Sequence, residues 1–207
     1  MRFRSQQTNR TLGWNIGVQD WYGGQVEQNL IIHNSNPSVN NTFGISLNGG
    51  SRQVTIANNY IYGLKGSGII VGSRDPQDRE GNIITNNILQ DPDSNSRILQ
   101  VESLEGLSIG DNTYFNEAPS RFSLFSATCT FEEWVELTDD NSAYAEHSFP
   151  DPTRSIETYQ EYIGEDGTID SFISACREQN RFNRDQRYAA EEVNQWIRAG
   201  FSDSLSN

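Results

Sequence analysis

Residues 54–63 read "VTIANNYIYG", and they decide the fold. Val54, Ile56 and Ile61 alternate with small or polar residues, the pattern of a half-buried β-strand. Asn59 interrupts that alternation at a position that ought to face a core. An amide there is either a local defect or one copy of something that repeats.

It repeats. "GQVEQNLII" ends at Ile32, "VTIANNYIY" at Tyr62, "NIITNNILQ" at Gln90 and "LSIGDNTYF" at Phe115. The aligned asparagines are Asn29, Asn59, Asn87 and Asn112, spaced by 30, 28 and 25 residues. Three positions before each stands Val26, Ile56, Ile84 or Ile109, and two positions after stands Ile31, Ile61, Leu89 or Tyr114. A second apolar stretch precedes each copy: "WNIGV" (14–18), "FGISL" (43–47), "GIIV" (68–71) and "ILQV" (98–101); a weaker one, "RFSLF" (121–125), follows the last. Each unit thus reads as strand, turn, then a strand with an internal Asn. A unit this short cannot bury its own apolar face, so it must stack on its neighbours. Stacked coils would carry inward Val and Ile ladders and an amide ladder at one corner, each Asn bonding those above and below. Asn also marks turns; four copies in one frame favour the ladder.

The pattern "V/I-x-x-N-x-I/L" in successive coils resembles the parallel β-helix proteins of the pectin-lyase-like superfamily, over about residues 13–146. "TFEEWVELTDDNS" (130–142) is similar to the coil-ending segment of bacterial β-helix proteins, and "DPTRSIETYQEYIG" and "NRDQRYAAEEVNQWIRAGF" to their helical extension. The resemblance implies an all-β solenoid: a right-handed parallel β-helix of about four to five coils with a small α-helical C-terminal extension. The domains expected are a solenoid over 1–149 and an extension over 150–207. Function does not follow from this scaffold, which hosts lyases, hydrolases, epimerases, tailspikes and adhesins. Two readings stay open. One is a carbohydrate-related protein that binds or cleaves an acidic polysaccharide, as polysaccharide lyases do. The other is a non-catalytic, adhesin-like or tail-fibre-like structural β-helix, a fragment of a longer chain.

Pro150-Asp151-Pro152 changes the texture of the chain. Ile156, Tyr159 and Ile163 recur at helical spacing. Thr168 reads as the N-cap of a helix carrying Ile169, Phe172, Ile173 and Cys176. A third helix carries Ala189, Val193, Trp196 and Ile197 and should stop at Gly200 as its C-cap. These stripes need a surface, either the solenoid itself, whose edge they would shield, or a separate partner. The first coil begins near Gly13, and ten polar residues before it cannot cover an open solenoid end. An upstream domain or a partner subunit is expected there.

Composition narrows the partners. Net charge is −13, with 28 acidic residues against 15 basic, and Lys65 is the only lysine. A phosphate backbone or an anionic membrane wants the opposite sign, so nucleic acid is not expected as a partner. No apolar run reaches the roughly 18 residues of a membrane span, so membrane insertion is not expected. "MRFRSQQTNR" lacks the apolar stretch of a signal peptide, although the resemblance implies an extracellular or cell-surface setting. Cys129 and Cys176 either bridge or stay as thiols; two cysteines make no disulfide framework.

The candidate chemistry follows from the polysaccharide reading. A lyase needs a base for the proton beside a carboxylate and a cation to neutralise that carboxylate. "YGLKGSGIIVGSRD" (62–75) concentrates Lys65 as the base candidate and Arg74 as the neutraliser, with Arg52 and Arg97 expected in neighbouring coils near the same turns. "GSGIIVGS" (66–73) faintly resembles a polygalacturonase segment, but Gly66 or Ser67 stands where the histidine belongs, and the preceding coil lacks the paired carboxylates a hydrolase requires. Asp20, Trp21 and Tyr22 in "VQDWYGG" (18–24) could stack and hydrogen-bond a sugar ring, or cover an edge. Asp91, Asp93, Asn95 and Glu102 fit calcium-loop spacing, but Ser96 replaces the turn glycine; solvated turn acids or a looser Ca²⁺ site at Asp91 and Asp93 are the readings. His33 and His147 lie in different coils and form no metal motif.

Overall fold

A computed structural model of the chain describes residues 12–32, 41–72, 76–91, 96–118 and 121–201. It divides into two compact units, the first ending at His147 and the second beginning at Ser148.

The first unit is a parallel β-solenoid of about four turns. The first turn holds β1 (Leu12–Gln19), β2 (Tyr22–Glu27) and β3 (Leu30–Ile32). The second holds β4 (Asn41–Asn48), β5 (Arg52–Ala57) and β6 (Tyr60–Tyr62). The third holds β7 (Ser67–Val71), β8 (Asn82–Thr85) and β9 (Ile88–Asp91). The fourth holds β10 (Arg97–Val101), β11 (Leu107–Gly110) and β12 (Thr113–Asn116). Equivalent strands stack into three sheets, a first ordered β1-β4-β7-β10, a second β2-β5-β8-β11 and a third β3-β6-β9-β12. The expected long strand with an internal Asn is therefore two strands. The chain bends at the Asn, so a coil has three sides.

Register makes the apolar ladders. Val18, Leu47, Val71 and Val101 pair in sequence along the first sheet, as do Ile16, Ile45, Ile69 and Leu99. Val26, Ile56, Ile84 and Ile109 line the second sheet, and Ile31, Ile61, Leu89 and Tyr114 the third. Most of these side chains are buried in one continuous core. Each buried aliphatic contributes roughly 1.5–3 kcal/mol.

The corner between the second and third sheets carries the amide ladder. Asn29 Nδ2 donates to Asn59 Oδ1, Asn59 Nδ2 to Asn87 Oδ1 and Asn87 Nδ2 to Asn112 Oδ1, each at 2.9 Å. The same oxygens accept the backbone N–H of the preceding coil's Asn at 3.1, 3.0 and 2.9 Å. Asn59 Nδ2 also donates to the carbonyls of Val26 and Ala57. Each Asn thus satisfies main-chain groups that the bend strands away from either sheet. The residue just before each ladder Asn is left-handed and exposed: Gln28, Asn58, Asn86 and Asp111 have φ of 55°, 56°, 55° and 56°. Asn58 has a backbone role there, because Asn and Asp tolerate this conformation better than most residues.

The ladder and the stack end together. Asn112 N–H donates to the Ser142 hydroxyl (2.8 Å), and that hydroxyl bonds Asp140. Buried Asp140 also accepts from Trp134 Nε1 (2.9 Å) and the Tyr114 hydroxyl (3.1 Å). Strand β13 (Phe122–Leu124) continues the first sheet, but β14 (Ala127–Cys129) turns back antiparallel through left-handed Phe125 and Ser126. Two left-handed central residues make the hairpin turn that suits strand twist. Helix α1 (Phe131–Thr138) follows, closed by a Thr130/Glu133 capping box. Its Trp134 stacks on Phe122 at 5.3 Å, and Phe131 on Tyr144 at 5.1 Å. Strand β15 (Ala143–Tyr144) closes the third sheet. The segment read as coil-ending is this capped helix. Cys129 and Cys176 are both free thiols.

The second unit holds α2 (Ile156–Tyr162), α3 (Ile169–Glu178) and α4 (Ala190–Arg198). Thr168 caps α3 as expected, accepting from Ser171 N–H. No residue of α3 is buried, so its apolar stripe is not a core stripe. Helix α4 ends on right-handed Ala199 and not on a left-handed Gly200. Gly200 is needed for a close approach instead: a Cβ there would sit 2.4 Å from the Asp151 carbonyl oxygen. Trp196 centres this unit, packing Tyr159 and Tyr162 at 5.4 Å each, with the Arg154 guanidinium 4.7 Å from its ring.

Three variants check this account. Asn87→Ala should cost about 3 kcal/mol in urea unfolding, because it strands several buried partners. Asn58→Gly, at an exposed left-handed position, should change stability by only a few tenths of a kcal/mol. Burial, reinforced by the Asp140 carboxylate, holds the Tyr114 phenol well above its ordinary range. A raised folded value means its stabilisation is complete below about pH 10, the ordinary tyrosine value, and is lost as pH rises towards the folded value. Tyr114→Phe should shrink the alkaline loss of stability seen in urea melts from pH 8 upward, while costing about 1 kcal/mol at neutral pH.

Candidate functional site

A cleft of about 380 Å³ opens on the outer face of the first sheet, lined by Phe43, Lys65, Gly66, Ser67, Ile70, Arg97 and Gln100. Its origin is a break in strand alternation. In three successive coils two consecutive residues face the core: Gly44 and Ile45, Gly68 and Ile69, Ile98 and Leu99. A Cβ on Gly44 would lie 2.3 Å from the Gly68 carbonyl and 3.0 Å from Leu64 Cδ1; one on Gly68 would lie 2.9 Å from Leu89 Cδ2. The doubled inward positions shift the alternation by one residue, so that Ser67 and Arg97, partners in register, both border the cleft. Ile70 and Gln100 form the next outward pair.

Gln100 organises the cleft. Its Oε1 accepts from Arg97 Nη1 at 3.0 Å and from the Ser67 hydroxyl at 3.3 Å. That contact holds a guanidinium in place against the sheet. Lys65 stands at the turn leading into β7, beside buried Leu64, whose carbonyl accepts from the Ser96 hydroxyl. The expected neighbourhood of Lys65 and Arg97 is therefore realised in one cleft. Among its lining residues are two cations, an amide and a hydroxyl, with an apolar floor of Phe43 and Ile70, and neither carboxylate nor imidazole. Such a set can hold a carboxylate and cover a hydrocarbon face.

Arg52 is elsewhere. It opens β5 in the second sheet and pairs in register with Tyr22, its N–H donating to the Trp21 carbonyl at 2.8 Å. The reason is positional: Arg52 begins the second strand of its coil, whereas Lys65 lies just before the first strand of its coil and Arg97 begins the first strand of the next. Arg52 belongs with Asp20, Trp21 and Tyr22. Asp20 is a turn residue at φ 58°, and its Oδ1 accepts from Gly50 N–H at 2.9 Å in the next coil. Gly49 is required beneath it, since a Cβ there would fall 2.3 Å from that oxygen. The Trp21 ring lies against Gly24, where a Cβ would come within 3.3 Å of it. Trp21 is 45% exposed and Tyr22 75%, so both rings keep an open surface.

Arg74 and Asp93 lie outside the described residues, as do His33 and the side chains of Trp14 and Asp91; the Asp91 backbone ends β9. Among the described residues no three His, Cys, Asp or Glu side chains gather as metal ligands. His147 packs edge-on to Tyr60 at 6.3 Å, and its N–H donates to Gln90 Oε1. Phe43, Ser67, Ile70 and Gln100 were not singled out from the sequence as site residues. The aligned repeats do carry the signal, because Phe43, Ser67 and Arg97 each stand two positions before the paired Ile45, Ile69 and Leu99. No family model matches the chain, no curated protein matches it, and no solved structure matches it.

The Asp20 assignment is open to measurement. Asp20→Ala removes a hydrogen bond and leaves in the left-handed turn a residue that tolerates it less well than Asp, and should cost about 1–2 kcal/mol in urea unfolding. A side chain serving only to touch a ligand would leave stability unchanged.

Proposed function

We propose that this solenoid, akin to the pectin-lyase-like superfamily, binds an acidic polysaccharide along the outer face of its first sheet. The observation that carries the reading is the pairing of Lys65 and Arg97 on one cleft with an apolar floor, in a chain of net charge −13. A uronate offers a carboxylate for the cations and a C–H face for Phe43 and Ile70. Gln100 supports it by orienting the Arg97 guanidinium before a ligand arrives, which lowers the entropy lost on binding. An extracellular or cell-surface setting accords with such a ligand.

Cleavage would require more of the same residues. In β-elimination the Lys65 amine would take the proton on the carbon next to the carboxylate. The electron pair forms the C=C bond, the glycosidic C–O bond breaks, and the departing oxygen acquires a proton. Arg97, with Arg74 as originally expected, would neutralise the carboxylate. Ca²⁺ at Asp91 and Asp93 could share that task. A specific observation favours the alternative of an adhesin-like, non-catalytic binder: in the described lining Lys65 is the one candidate base, with no carboxylate or imidazole beside it to assist a proton transfer. Binding is common to both readings.

The test is titration calorimetry with alginate, pectate and chondroitin sulfate, against neutral dextran. Binding to an acidic polymer should weaken about tenfold, or ~1.4 kcal/mol, in Lys65→Ala and again in Arg97→Ala, and should fall with added salt. Equal affinity for dextran, or unchanged affinity in both variants, refutes the assignment. Growth of the ultraviolet absorbance of unsaturated products would select the lyase over the pure binder, and its loss in Lys65→Ala would identify the base.

A further inference from the structure

The second unit displays a feature that the polysaccharide reading does not use. Between α3 and α4 the chain reads "EQNRFNRDQRY" (178–188), which holds Arg181, Arg184 and Arg187, with Arg177 just before it. Residues 148–207 otherwise carry only Arg154 and Arg198, against eleven carboxylates. The basic residues of an acidic unit are thus gathered at one place.

At its tip Phe182 is 94% exposed, the most exposed of the large apolar residues described. It is held there by a well-bonded turn. Asn180 Oδ1 accepts from Phe182 N–H at 2.9 Å and Asn183 N–H at 3.1 Å, and Asn180 and Asn183 exchange backbone hydrogen bonds in both directions. Gln179 pins the base of the turn, donating to the Ala175 carbonyl (3.0 Å) and accepting from Asp185 N–H (2.6 Å). The Arg181 guanidinium sits 5.9 Å from the Phe182 ring centroid.

The arginines divide by role. Arg187 is committed, paired with Asp185 at 2.7 Å and Glu165 at 3.3 Å. Among the described residues no ion pair involves Arg181 or Arg184. Both instead line a surface cleft of about 300 Å³ with Gln179, Tyr188 and Asp185, whose carboxylate is already paired with Arg187. In a chain with 28 acidic side chains, two guanidinium groups three residues apart and without carboxylate partners are available to an outside anion.

We propose that the 180–184 turn is a docking surface for an acidic protein segment. An apolar socket on the partner receives Phe182, and flanking carboxylates pair with Arg181 and Arg184. Aromatic and Arg side chains are the residue types that dominate interface energetics, and a rigid turn loses little entropy on binding. The charge fits a partner with two or three carboxylates. It does not fit an anionic membrane, whose extended field would be opposed by the eleven carboxylates of the same unit. A free anion or a polysaccharide gives Phe182 no socket.

Fluorescence anisotropy on the full chain tests this with a labelled ten-residue peptide that carries three Glu around a central Leu-Trp pair, with Ser and Gly elsewhere. Saturable binding is expected, weakened at least tenfold by Phe182→Ala and by the Arg181→Ala/Arg184→Ala double variant. All three side chains are on the surface, so circular dichroism should show both variants folded. Lys65→Ala and Arg97→Ala should bind the peptide normally, which separates this surface from the cleft on the first sheet. Absence of peptide binding, equal binding of a peptide with Lys in place of its acids, or unchanged affinity in both variants overturns the proposal. So does sedimentation with phosphatidylserine vesicles, or binding of alginate, that depends on these residues while the peptide does not bind.

Discussion

The solenoid depends on the way an amide can both give and take at one corner. Where the chain leaves the second sheet and enters the third, the N–H of the corner Asn meets a side-chain oxygen of the next coil in place of a strand carbonyl. An asparagine side chain supplies the missing donor and acceptor, and it does so between coils, because its oxygen receives the N–H groups of the preceding Asn. The bond stabilises the bend and fixes the stacking register in the same stroke. A Leu at that place would leave buried polar groups unpaired, and a Ser could fill only part of the role. Ser142 does so once, at the last coil, where Asp140 supplies the remaining bonds and the ladder needs no successor.

With register set by the ladder, the rest of the unit is consequence. Aliphatic side chains fall into columns because equivalent positions in each coil are forced opposite one another. The stack ends where three things coincide: a hydroxyl replaces the amide, a left-handed pair turns β14 back on β13, and aromatic rings with α1 fill the space of a further coil. The same register creates the cleft. Gly44 and Gly68 make room for two successive inward positions in the first sheet, and Ser67 and Arg97, partners in register, line the cleft together.

How far the sequence can be read follows from the distance over which each feature is encoded. The ladder asparagines and the apolar columns are periodic, and a period is visible along the chain before any coordinate is known. The helix caps at Thr168 and Ser155 are local and readable in the same way. Gly200 shows the limit of local reading: a glycine after a helix suggests a left-handed stop, but its purpose here is to let Asp151 approach from nearly fifty positions away. Arg52 shows another. Its residue type and its nearness to the other arginines in the repeat suggested one site, yet a few positions along a coil decide which of three sides a side chain occupies.

The sequence by itself determined that this protein is a parallel stack of short coils, because repeated Asn, Val and Ile in one frame admit few other ways to bury an apolar face and satisfy an amide. Only the tertiary structure decided that Phe43, Ser67, Ile70 and Gln100 join Lys65 and Arg97 in one cleft, that Asp20 is bound to a neighbouring turn, and that Phe182 stands exposed between two arginines. The physical reason is that periodic burial is written into spacing, whereas convergence and exposure depend on bends and stacking offsets that no single coil contains.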